Sequence, residues 1–175
     1  MANQHMVITL LSDDKPGIVQ QVADIIAHEQ GNWLESKMSQ LAGKFAGILK
    51  VSIDDNNIDS LSQALKSLST KGIQVLIEKE HTSELSNGKL LSFELIGADR
   101  VGIVSEIALA FSEKSINIDE LETRCSSMPW SGEPLFEATG ILIAPESINK
   151  DELLDKLDSI EDKLGIDISI TEQLQ

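Results

Sequence analysis

The sequence predicts an α+β protein built from two ferredoxin-like βαββαβ domains in tandem, and three observations carry that prediction. The stretch Asp14-Lys15-Pro16-Gly17-Ile18-Val19 returns 85 positions later as Asp99-Arg100-Val101-Gly102-Ile103-Val104. The match continues at the same offset: Val22-Ala23 aligns with Ile107-Ala108, Ile26 with Phe111, and Gly31-Asn32-Trp33 with Ile116-Asn117-Ile118. Each copy lies between an apolar run of strand type and a segment of helical period, which marks a repeated fold rather than a chance motif.

In the first copy the run Met6-Val7-Ile8-Thr9-Leu10-Leu11 reads as a buried strand. Ile18, Val19, Val22, Ile25 and Ile26 then fall on one helical stripe, so this helix buries one face. Two extended segments follow, Trp33 to Leu41 and Phe45 to Ile53, with Gly43-Lys44 as the hairpin turn. A second helix opens at the capping-type pair Asn56-Asn57, carries Ile58, Leu61, Leu65 and Leu68, and closes at Gly72. Ile73, Val75 and Ile77 alternate as the last strand.

The second copy repeats this order. Leu90 to Gly97 reads as strand and Gly102 to Lys114 as helix, with Ile103, Val104, Ile107, Ala110 and Phe111 on one stripe. Asn117 to Ser126 and Leu135 to Ala144 are strands, Asn149 to Leu164 a helix, and Ile166, Ile168 and Ile170 the final strand. Ser127 to Pro134 forms a longer loop in place of the tight hairpin. The polar stretch before Leu90 has no apolar period, which sets the domains at 1–80 and 90–175 with a linker at 81–89. In such a unit the two helices cover one sheet face, and strand residues such as Leu34, Met38 and Leu49 suggest that sheets or edges pair.

Composition narrows the function. The chain has 175 residues, 41% of them hydrophobic, which suits two small cores. Its formal charge of -15 repels phosphate backbones and argues against direct nucleic-acid binding. The single cysteine, Cys125, forms no internal disulfide and reads as a buried strand residue; His5, His28 and His81 have no metal-ligand spacing. A reducing cytoplasm, no metal and no cofactor are expected. The N-terminal apolar run is too short to span a membrane and has no charged lead-in of signal-peptide type. No nucleophile elbow, phosphate loop, dinucleotide fingerprint or metalloprotease motif occurs, so no catalytic residue is expected.

The D-x-P-G-I-V loop opening the first helix, with the G-N or I-N step into the second strand, resembles the ACT domain in both copies. More narrowly, Asn117-Ile118-Asp119 and the segment Ser131-Gly132-Glu133-Pro134-Leu135-Phe136 resemble the glycine cleavage system transcriptional repressor group. The resemblance implies non-catalytic, amino-acid-linked control, with glycine a candidate effector, and contact with a transcriptional activator protein rather than with DNA. It implies ligand contacts at Asp14, Pro16, Gly17 and Ile18, and at Asp99, Gly102 and Ile103. A helix N-terminus suits a carboxylate, and the glycines let a ligand approach the backbone. Asn32, Asn117 or Asp119 would take the ammonium end or fix the neighbouring strand.

Each residue also has a plainer role. The glycines serve a tight strand-to-helix turn, Asp14 and Asp99 cap the helices, and Val101 in place of Pro16 makes the two loops unequal because proline pre-sets a first helical turn. Trp33 packs in the core or an interface. Trp130 either anchors a protein partner or folds back over its own sheet. The acidic run Asp151 to Asp162 is a solvated helix face. The leading expectation is a homo-oligomeric regulator acting through a protein partner. The alternatives are an amino-acid-sensing subunit of a metabolic enzyme and an interaction module without ligand.

Overall fold

The computed structural model describes residues 3–81, 88–128 and 131–172. The chain divides into two compact units, Met1–Thr82 and Ser83–Gln175. The first runs β1 (Asn3–Asp13), α1 (Ile18–His28), β2 (Asn32–Leu41), β3 (Lys44–Asp54), α2 (Ile58–Lys66) and β4 (Gln74–Lys79). The second runs β5 (Lys89–Ala98), α3 (Ile103–Glu113), β6 (Asn117–Ser127), β7 (Pro134–Ala144), α4 (Lys150–Leu164) and β8 (Ile166–Glu172). Each sheet is antiparallel and four-stranded, ordered β2-β3-β1-β4 and β6-β7-β5-β8. These are two tandem ferredoxin-like units of the α+β class. Of the expected linker, 82–87 lies outside the described residues, and Lys89 already opens β5.

Strand alternation produces each core. Met6, Ile8 and Leu10 on β1 and Leu49, Val51 and Ile53 on β3 point to one face and meet Ile18, Val22, Ile26, Leu61 and Leu65 from the helices. In the second unit Leu91, Phe93 and Leu95 meet Ile107, Phe111, Leu153, Leu157 and Ile160, and the Phe93 and Phe111 rings stand edge to face at 6.1 Å. The acidic residues Asp151, Glu152, Asp155, Asp158 and Asp162 lie exposed on the outer side of α4.

Several sequence expectations change. Val19 and Val104, placed on the buried stripes, are each 44% exposed, because the buried face is centred on the rows Ile18-Val22-Ile26 and Ile103-Ile107-Phe111, with Ala110 beside the second, and both valines lie off it. Leu49 and Met38 face or pack against the core, leaving Leu34 alone of the three exposed. Cys125 is exposed, since β6 is an edge strand on which only Ile118 is half-buried. The hairpin turn is Ala42-Gly43, with positive φ at both (50° and 78°) as a type I′ turn requires, and Lys44 has joined the ladder. Asn57 does not cap α2. The cap is Asp54, which accepts from the Asn56 amide at 2.9 Å and starts a 3₁₀ turn leading into the helix, while the Asn57 amide group donates to the Glu29 carbonyl. Trp33 is half-buried against the core. Trp130 lies outside the described residues.

The first unit closes where Glu80 meets β1. Its amide donates to the His5 carbonyl at 2.9 Å and its carboxylate contacts His5 Nδ1 at 2.8 Å and Lys50 Nζ. Lys50, then His5, hold the Glu80 carboxyl below the ordinary carboxylate range. A depressed carboxyl stabilises the fold above its unfolded value and loses that contribution as pH falls through the folded one. Acid unfolding of the wild type should therefore weaken in high salt, and Glu80→Gln should flatten the acid limb of the stability profile, as circular dichroism against pH will show. In the second core, Phe111→Ala should cost about 3–5 kcal/mol in denaturant unfolding.

Candidate functional site

Both copies join strand to helix by the same short turn. β1 ends at Asp13, and the Asp14 amide donates to the Gly43 carbonyl at 2.9 Å, tying the loop to the β2–β3 hairpin. In the second unit the Asp99 amide makes the matching bond to the Pro134 carbonyl at 3.1 Å. Gly17 (φ 90°, ψ 3°) and Gly102 (φ 92°, ψ -2°) hold the conformation of the third residue of a type II turn. In the second copy the turn is closed by the Ile103 amide donating to the Arg100 carbonyl at 3.2 Å. A β-carbon at this φ is strained, which is why both copies have glycine.

This geometry corrects two readings. Pro16 sits at the second turn position, not in the first turn of the helix, and type II turns accept either proline or valine there. Val101 therefore leaves the backbone unchanged. Asp14 and Asp99 do not cap the helices: the N-cap residues are the glycines, and neither helix has a side-chain cap. Both helices consequently begin without a side-chain cap on their first backbone N–H groups, and only α1 also lacks an acidic residue in its first turn.

At the first of these ends the surface forms a depression of about 280 Å³. Asp14, Lys15 and Gly17 border it from the loop, Ile18, Val19 and Gln20 from the first turn of α1, and Phe45 from the start of β3. Its volume is near the lower end for small-molecule sites, roughly 300 Å³. It offers N–H donors and an ammonium for a carboxylate, a carboxylate for an ammonium, and an apolar wall. Lys15, Val19, Gln20 and Phe45 were not singled out from sequence. Lys15 stood inside the repeated motif, but only the fold brings Phe45 to it.

The structure separates the remaining expected residues from the loops. Asn32 pairs opposite Ser52, whereas the loop end of the sheet lies at Lys44, eight residues along β3, roughly 26 Å at the usual rise. Asn117 opposite Ile143 is likewise at the far end of the second sheet from Asp99. Asp119 lies at a β-bulge between Ile118 and Glu120, where the first unit has Leu34 between Trp33 and Glu35. Within one unit, a small ligand at the loop therefore does not reach these side chains. Among the described residues no group of acidic, histidine or cysteine side chains has metal-binding geometry, and no helix is long and apolar enough to cross a membrane.

The family model for the ACT domain matches residues 4–78. The first unit is an ACT domain. The second repeats its fold strand for strand, so the chain has a tandem ACT architecture. Over its full length it is similar to the crystal structure of an unknown protein from Galdieria sulphuraria, with 26% identity, TM-score 0.84, and coverage of 99% of this chain and 100% of that one. It is also similar to the structure of a candidate glycine cleavage system transcriptional repressor, at 17% identity and TM-score 0.78, with each chain covered completely. No curated protein matches the sequence.

The turn geometry makes a direct prediction for this ACT pair. Val101→Pro should stabilise the second unit by about 0.4–1 kcal/mol, because the position already suits proline. Gly17→Ala and Gly102→Ala should each cost about 1–2 kcal/mol, the penalty for a left-handed residue with a β-carbon. Thermal unfolding of the three variants measures both.

Proposed function

We propose that this chain is a non-catalytic regulatory protein in which a free amino acid, bound at the Asp14–Gln20 loop, changes the contact made with a protein partner. The observation that carries this reading is the depression at the uncapped start of α1, bordered by Asp14 and Lys15. Its two charges and its free amides complement the two ends of an amino-acid zwitterion.

The partner reading follows from charge and from likeness. At -15 the chain is a poor ligand for a phosphate backbone. The full-length similarity to a candidate glycine cleavage system transcriptional repressor supports control of transcription through a protein contact, with glycine the first effector to test and a transcriptional activator the partner class. Such a regulator would work in the cytoplasm, as a homo-oligomer.

Isothermal titration of the full chain with glycine and then the other free amino acids tests the effector. One of them should bind, and Lys15→Met, on an exposed side chain, should weaken it at least tenfold. Capture of partners with and without that amino acid should recover a DNA-binding activator in effector-dependent amounts. Tight promoter binding by the purified chain alone would contradict the proposal, and recovery of a biosynthetic enzyme would favour the enzyme-subunit role.

A further inference from the structure

The two loops share a backbone but differ in what their polar groups already do. In the second unit Arg100, the counterpart of Lys15, donates to Glu106 at 2.6 Å and to the Leu164 carbonyl at the end of α4 at 3.1 Å. Glu106 lies in the first turn of α3, a position where negative charge offsets the positive helix terminus. Asp99 lies beside Cys125, whose thiol is raised first by desolvation and then by this carboxylate. A bound carboxylate would meet negative charge where the terminus is already answered.

The first unit lacks these internal partners. The first turn of α1 has no acidic residue, and Gln21 stands where the second copy has Glu106, its side-chain amide donating to the Gly17 carbonyl at 3.3 Å without adding charge. Lys15 borders the depression with no hydrogen bond or ion pair among the described residues, acting on Asp13 only at longer range.

A separate observation points to a ligand. Ser12 is 6% exposed, the one buried polar side chain among the described residues, and its hydroxyl has no partner there. A buried hydroxyl left unpaired destabilises a fold. Ser12 precedes Asp14 by two residues and faces Phe45, the depression's wall, in the β1–β3 register. In the second unit the matching residue is Gly97, where a β-carbon would come within 2.6 Å of Ile166 Cγ2. There the space is filled.

We propose that the first unit alone holds the effector, that the Ser12 hydroxyl hydrogen-bonds to it, and that the second loop is a self-filled copy with a structural role. The inference rests on the effector reading of the loop. Ser12 does not itself line the depression, so the half-buried Phe45 ring has to shift as the ligand enters.

The test is calorimetric titration of the full chain with each free amino acid, glycine first, beside thermal unfolding. One ligand per chain is expected. Ser12→Ala should weaken binding at least tenfold while the unfolding midpoint stays level or rises, since a methyl group there leaves nothing unpaired. Glu106→Gln should leave the affinity of that site within twofold. Two ligands per chain, wild-type affinity in Ser12→Ala, or a site lost in Gly102→Ala but kept in Gly17→Ala would overturn the inference while leaving the effector reading intact. Binding of no amino acid at all would overturn both.

Discussion

The structure depends on one backbone constraint, met twice: a chain that leaves a sheet and must enter a helix within four residues. A type II turn does this only if its third residue takes φ near +90°, which Gly17 and Gly102 supply. With glycine at the N-cap, no side chain covers the first helical amides. The same turn that lays α1 over Met6, Ile8 and Leu10 therefore leaves a donor-rich, positive helix end at the surface. Fold and candidate site share one cause.

From that point the two units diverge by side chain rather than by backbone. The turn residues differ, Pro16 against Val101, yet the glycine dihedrals agree within a few degrees. Arg100 and Glu106 tie the second loop to α3 and α4, whereas in the first Gln21 reaches only the Gly17 carbonyl and Lys15 makes no hydrogen bond or ion pair among the described residues.

The architecture was legible in the sequence because its signals are local: period-2 alternation in Met6 to Leu11, period-3.6 stripes in both helices, and a repeat held at one offset. What escaped has non-local causes. Val19 and Val104 satisfy the helical period yet lie outside the row that meets the sheet. Cys125 looks buried by residue type and is exposed because β6 is an edge. Asn32 follows the loop closely along the chain, but an intervening helix carries it to the other end of the sheet. Phe45 comes to the loop only through the β1–β3 register, which no spacing in the sequence encodes.

In the proposed reading, the uncapped end of α1 receives a small anion-bearing effector. Amide resonances of the isotope-labelled full chain, followed as amino acids are added, test it most directly because the claim concerns particular N–H groups. Shifts centred on Gly17 to Gln20 are expected, with the amides of Gly102 to Ser105 unmoved. Shifts centred on Asn32 and the far end of the sheet, or none with any amino acid, would contradict it.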